Sequence, residues 1–338
     1  MALSSDEIIK REIIDTLGYE YGNIKLRIFP QSSREDQSLF SDGGLTFGFN
    51  GVSYGSCDAC WYVDEDWVDG FNNKKIGKKP IIALEGTDAL NRNSAGNALY
   101  QRFHHALGAV KNGLIGVYYL KKGYSKIQPD LYGMAYYASR VEKGNYLVTD
   151  DLEVVKGLLE RYDDKNSFVD FIKSYLEKMY EIFNTKFQKF YNGDWKEFAK
   201  KRSTIIKDDY VIKYAGRSRR NFTDGSQRAG HITVGEMFLT KYYFYDKKFY
   251  YLFPKMTRED LRLLDKSKNA DKEWFLLRNE PNVFIKTIDD IEGVEKNIKE
   301  KLLQIKDEPL KGDAFRAFSE YIQEIVSKLE SGEYRIRE

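Results

Sequence analysis

Residues 52–87, VSYGSCDACWYVDEDWVDGFNNKKIGKKPIIALEGT, hold the densest chemical possibilities of this chain. An acidic cluster (Asp58, Asp64, Glu65, Asp66, Asp69) precedes a short apolar run, Ile81-Ile82-Ala83-Leu84, that ends on Glu85. Carboxylates delivered at the end of a buried strand suit a hard divalent cation such as Mg²⁺, which takes oxygen ligands held on a rigid element. Glu85 and Thr87 are two positions apart, so on a strand they share a face. The competing possibility is a solvated acidic loop beside an ordinary core strand, since charge runs are usually surface. The order of the surrounding elements decides between them.

Asp58 lies inside the strand-like run SCDACWYV, whereas Asp64, Glu65, Asp66 and Asp69 fall where that run dissolves into a loop. A ligand belongs on the rigid element, so Asp58 is the expected partner of Glu85, with Asp69 as the alternative. Asp88 reads as a turn residue. Cys57 and Cys60, the only cysteines, form a C-x-x-C pair followed by Trp61-Tyr62-Val63, which continues as a strand rather than opening a helix. Residues three apart on a strand face opposite sides, so the two are expected to be small, buried and reduced rather than half of a redox or zinc site.

The elements that must position these residues follow from periodicity. Ser4 with Glu7 forms a capping box for a helix carrying Ile9, Ile13, Ile14 and Leu17 and stopping at Gly18. Asn23–Phe29 alternates as a strand closed by Pro30, and the polar QSSREDQSLFSDGG loop follows. Leu45–Phe49 and Val52–Val63 flank Asn50-Gly51, a strong hairpin signal, and Pro80–Leu84 is the next strand. Ser94 caps a helix to about Lys111 with Leu99, Phe103, Leu107 and Val110 on one stripe. The opposite face carries Asn97, Gln101, His104 and His105; Gln101 is placed near the acidic pair, and the histidines are expected to be helix-surface or ligand-contacting residues and not metal ligands, since hard cations favour oxygen. Leu114–Leu120 and Asn145–Val148 complete an α/β core with helices on a mixed sheet.

Helix, hairpin with an Asp, strand ending on Glu-x-x, helix, strand: in this order, and in Asp58 with Glu85-Gly86-Thr87, the first third of the chain resembles the PD-(D/E)XK nucleases, in particular type II restriction endonucleases. Arg228-Ala-Gly-His-Ile-Thr-Val-Gly-Glu236 followed by FYYLFPKMT is similar to the C-terminal parts of such enzymes. The resemblance implies a restriction-endonuclease-like core with a C-terminal α+β recognition region. It also implies Mg²⁺ (or Mn²⁺) on Asp58 and Glu85, with Thr87 and Gln101 completing the catalytic set. Partners would be double-stranded DNA, a second copy of the chain and a cognate DNA methyltransferase, in a prokaryotic cytoplasm. The family usually has Lys where Thr87 stands, to orient the attacking water. Lys79 has the right parity, but six residues at about 3.3 Å each put it roughly 20 Å from Glu85. Glu7 is a candidate supporting carboxylate.

The remaining sequence fits that reading. The chain has 338 residues, 42% hydrophobic and 31% charged, six prolines, no run long enough to span a bilayer and a net charge of +2. Residues 1–150 are the expected catalytic core, 151–205 a helical, aromatic connector, and 206–338 the recognition or dimerisation region. Nine basic residues against three acidic ones between Ala199 and Gly230 suit phosphate contact and guanine reading. Lys200, Lys201, Arg217, Arg219, Arg220, Arg228 and His231 are the candidate DNA contacts. Further on, the patterns predict a helix over His231–Tyr242, an aromatic strand or hairpin over Phe244–Phe253, a short helix over Met256–Leu264, strands at Trp274–Leu277 and Val283–Thr287, and helices over Ile291–Ile305 and Phe315–Leu329. No P-loop, dinucleotide fingerprint or G-x-S-x-G elbow supports a small-substrate enzyme. A non-catalytic DNA-binding protein on a degenerate nuclease core is the alternative.

Overall fold

A computed structural model describes residues 5–28, 46–68, 70, 73, 75–91, 100–223, 227–305 and 312–338. The chain forms two compact units, Met1–Phe190 and Tyr191–Glu338. Helices of the expected 151–205 connector are divided between them.

In the first unit, helix α1 (Ser5–Leu17) buries Ile9, Ile13 and Leu17, the stripe expected from sequence; Ser4 lies outside the described residues. A six-stranded mixed sheet follows. Its members are β1 (Glu20–Tyr21), β2 (Ile24–Ile28), β5 (Ala59–Val63), β8 (Lys79–Thr87), β9 (Ile115–Leu120) and β10 (Asn145–Thr149), in that spatial order. Strands β1, β2, β5 and β8 pair antiparallel, whereas β8, β9 and β10 run parallel. The central β8 is buried on both faces, which explains its unbroken apolar run. Pro80 sits where the β5–β8 register slips, the kind of place a strand tolerates a missing donor.

A small hairpin, β3 (Thr46–Phe49) and β4 (Val52–Ser56), stands apart from this sheet. Its turn has positive φ at both Asn50 (51°) and Gly51 (77°), as a type I′ turn requires. The expected single strand Val52–Val63 is thus two strands in two sheets, broken at Cys57-Asp58. Asp64, Glu65 and Asp66 lie between β5 and the short hairpin of β6 (Trp67–Val68) and β7 (Lys75–Ile76). These acids form surface ion pairs: Asp64 with Lys25 (2.6 Å), Glu65 with Lys79 (2.8 Å) and Asp66 with Lys75 (2.6 Å).

Helix α2 (Phe103–Lys111) packs against the sheet and the hairpin. The parallel pair β9 and β10 is joined by α3 (Pro129–Val141), whose Leu131, Met134, Ala135 and Ala138 are all fully buried. Helices α4 (Glu153–Arg161) and α5 (Lys165–Tyr191) match the expected helical stretch.

The second unit opens with α6 (Trp195–Lys200) and contains a four-stranded sheet, β11 (Thr204–Ile206), β12 (Tyr210–Tyr214), β13 (Lys248–Phe253) and β14 (Val283–Thr287). Strands β12, β13 and β14 are parallel, so Phe244–Phe253 contributes one central strand and no hairpin. Between them run α7 (Gln227–Tyr243), α8 (Arg258–Lys266) and α9 (Lys272–Asn279). Strand β15 (Ile291–Glu292) pairs with β16 (Arg335–Ile336) around α10 (Lys296–Gln304) and α11 (Gly312–Ser331). The helix expected over Ile291–Ile305 therefore begins only at Lys296. Ile205, Ile212 and Leu252 pack with Leu302, Ile325 and Leu329 in one core.

Trp274–Leu277, expected as a strand, is the middle of α9. A helix puts Phe275 outside, 42% exposed, while Trp274, Leu276 and Leu277 are buried; on a strand Phe275 and Leu277 would share a face. Phe275→Lys should therefore leave the melting temperature nearly unchanged. Leu277→Ala should cost about 2–5 kcal/mol. Thermal melts of the two variants check this, and equal losses would contradict the helical assignment.

Candidate active site at the shared end of β5 and β8

The C-terminal end of β8 and the N-terminal end of β5 meet because the two strands are antiparallel. Asp58 immediately precedes β5, and its backbone N–H donates to the Leu84 carbonyl at 2.9 Å. Its carboxylate Oδ2 accepts from the Gly86 N–H at 2.7 Å. Asp58 and Glu85-Gly86-Thr87 are thus stitched together across one strand pair. Asp58 sits in the break between two strands and not within one, yet hydrogen bonds to β8 from both its backbone and its side chain hold it on the rigid frame. Asp69 and Asn97 lie outside the described residues.

Glu85 is 1% exposed. A buried carboxylate must be paired or hydrogen-bonded to remain charged, and α2 supplies the partners. Arg102, at the start of that helix, donates from Nη1 to Glu85 Oε1 at 3.2 Å. His105, one turn on, brings Nδ1 to 3.2 Å from Oε2, an ion-pair distance outside hydrogen-bond geometry. Both histidines correct the expectation of a surface position: His104 is buried, and His105 is only 14% exposed at its side chain and packs over the backbone of Gly55.

Gly86 faces the other side of the sheet. A Cβ there would lie 2.3 Å from Cγ2 of Ile9 on α1 and 3.5 Å from Asp58 Oδ2, so only glycine fits between the helix and the site. Thr87 is buried, and its hydroxyl accepts from the Ala89 N–H at 3.2 Å, closing the turn into the short 3₁₀ helix Ala89–Asn91. Gln101 is half-buried, and its Nε2 is a buried donor without a partner among the described residues. Glu7 is exposed on α1. Lys79 starts β8, at the opposite end from Glu85, and is paired with Glu65.

The cysteines are free and buried. Burial first, then the nearby Glu85, Cys60 and Asp58, pushes the Cys57 thiol well above its ordinary range, and burial does the same to Cys60. Burial thus disfavours the thiolate form of both. Tyr118, paired with Glu85 in the β8–β9 register, is likewise driven upward by burial and then by the Glu85 charge, and stays a neutral phenol.

Asp58 and Glu85 are carboxylates, the donor type that Mg²⁺ takes.

The sequence-derived DNA contacts lie in the second unit and divide into two groups. Lys200, Lys201 and Arg220 are exposed, and Arg219 is half-exposed with Nε 3.7 Å from Asp260. Arg217 donates to the Thr233 hydroxyl at 3.0 Å, and His231 lies 3.4 Å from the buried Glu273. The last two therefore help to hold the fold of this unit. Arg228 falls on α7. No helix among the described residues is long and apolar enough to cross a membrane.

No family model matches this chain, and no curated protein and no solved structure is significantly similar to it.

Proposed function

We propose that the chain is a metal-dependent endonuclease of type II restriction character that hydrolyses phosphodiester bonds in double-stranded DNA. The observation that carries this reading is the placement of Asp58 and Glu85 at the same end of two adjoining antiparallel strands, with Asp58 held there by the Gly86 N–H. Further support comes from the element order α1, β2, β5, β8, α2, β9, with β8 parallel to β9, which matches the order the nuclease resemblance implies.

Asp58 and Glu85 would hold Mg²⁺ or Mn²⁺, which supplies Lewis acidity toward the phosphodiester. Arg102 fixes the direction of the Glu85 carboxylate. The Arg102 side chain is 37% exposed, and a guanidinium is suited to hold a phosphate oxygen. Arg102 thereby supplies from the helix the cation that the strand lacks at Thr87. The Thr87 hydroxyl, already engaged by Ala89, positions the turn. The exposed bases of the second unit, Lys200, Lys201, Arg219 and Arg220, supply DNA affinity. A homodimer and a companion DNA methyltransferase belong to the same proposal.

The test is incubation of the purified protein with mixed plasmid DNA and Mg²⁺ or Mn²⁺, read on a gel. Discrete bands that disappear with EDTA are expected. No cleavage of any DNA, methylated or not, with either metal would leave a non-catalytic DNA-binding protein. Within the binding surface, Lys200→Ala and Lys201→Ala should each weaken specific and random DNA alike and lower the salt dependence by about one phosphate. Arg220→Ala should cost about 1–3 kcal/mol on specific DNA alone if it reads guanine. Affinities at two salt concentrations separate these outcomes.

A further inference from the structure

Strand β9 ends at Leu120 beside Thr87, and the next six residues, KKGYSK, carry three lysines and one aromatic ring. Tyr124 is 96% exposed, the most exposed large hydrophobic among the described residues. One exposed ring is ordinary on a surface, but the backbone carrying this one is pinned on both sides. Ser125 N–H donates to the Leu90 carbonyl at 3.1 Å, and Asn91 Nδ2 donates to the Lys122 carbonyl at 3.3 Å. Gly123 lies so close that a Cβ would sit 2.6 Å from Asn91 Oδ1 and 2.7 Å from the Leu90 backbone. The anchor is the Ala89–Asn91 turn that directly follows Glu85-Gly86-Thr87. The ring is therefore presented in water by a prearranged loop, which lowers the ordering cost of binding.

The charges around it favour a polyanion. Lys121 is paired with Glu12 at 2.8 Å, whereas Lys122 and Lys126 are exposed and form no ion pair among the described residues. Asp88, the acid on the anchoring turn, accepts from Asn91 Nδ2 at 2.6 Å. An aromatic face flanked by lysines is the combination that stacks a base while holding the backbone beside it.

We propose, resting on the nuclease reading above, that the 121–126 loop is a nucleic-acid contact in which Tyr124 stacks on a base at a strand end or drawn out of the duplex near the cleavage position, and Lys122 and Lys126 hold the flanking phosphates. Lys122 is four residues beyond Tyr118, the register partner of Glu85. At about 3.3 Å per residue the loop lies within roughly 13 Å of that position, or about four nucleotides at a rise of 3.4 Å each.

The experiment measures binding of the full chain to a DNA fragment in EDTA, at two salt concentrations. Tyr124→Ala should lose about 5- to 150-fold in affinity, and Tyr124→Phe should bind like the wild type. Lys122→Ala with Lys126→Ala should lower the salt dependence by about two phosphates. The fully exposed position makes these variants safe for folding. Wild-type affinity in Tyr124→Ala, alongside cleavage by the wild type, overturns the loop contact and leaves the nuclease standing. Tyr124-dependent binding without cleavage by the wild type does the reverse. A wild type that binds no DNA overturns both.

Discussion

Glu85→Gln is expected to remove metal-dependent cleavage while leaving the fold and DNA binding in place. The substitution keeps the shape of a side chain that is 1% exposed and deletes only its charge. A ligand for the ion then becomes a weak neutral donor set. Loss of several kcal/mol of transition-state stabilisation corresponds to a rate drop on the order of 10³. Breaking a fully buried ion pair would by itself threaten the fold. Here the Arg102 side chain is 37% exposed, so its guanidinium turns toward water once its partner is neutral, and the stability cost stays small. Asp58→Asn should match the loss of cleavage. Single-turnover cleavage, DNA affinity and a thermal melt on the same preparations check the claim. Wild-type cleavage by Glu85→Gln would end the assignment of this pair as the catalytic centre.

What the sequence made legible was the frame around that pair, and the gaps have physical causes. Helix α1, the Asn50-Gly51 hairpin and the buried run of β8 carry local signals strong enough to stand without tertiary context. Helix α3 went unread from the sequence, although Leu131, Met134, Ala135 and Ala138 recur at helical spacing. Trp274–Leu277 failed because four apolar residues in a row carry no period, and burial of Trp274 against its surroundings chose the helix. The basic stretch after Ala199 hides β11 and β12, since Lys213 is drawn into the core with Nζ on the Arg202 carbonyl at 2.6 Å. In the candidate site, Glu85 was read as a strand-end carboxylate and Asp58 as a residue within a strand, whereas Asp58 falls in the break between β4 and β5, and Arg102 was not read at all. A continuous helix from Ser94 makes Gln101 and His105 neighbours at i and i+4. In the fold the helical geometry is interrupted at Arg102 (φ −110°, ψ 2°), and the residues turned onto Glu85 are Arg102 and His105. Only the long-range contact reveals that.

Gly86→Ala should strongly slow the proposed cleavage without touching any group that does chemistry. Its Cβ would stand 2.3 Å from Ile9 Cγ2, and Ile9 is completely buried on α1. The flexible end of a surface chain could yield, but a branched side chain in a packed helix face cannot, so α1 and β8 must separate. Overpacking of this kind costs about 1–3 kcal/mol. The same displacement pulls on the Gly86 N–H that holds Asp58 Oδ2 at 2.7 Å, and a misplacement near 1 Å is enough to cost about 10²-fold in rate. Ile9→Ala alone should destabilise by about 2–5 kcal/mol, as a large-to-small change in a core does. In the double variant the alanine methyl at 86 takes the space that Ile9 vacates. Its stability should exceed the sum of the two single effects by about 1 kcal/mol or more, with part of the cleavage rate restored. Denaturant melts and cleavage rates on the four members of the cycle measure this. Strict additivity in both would mean that the glycine is not wedged against α1 and that Asp58 takes its position from elsewhere.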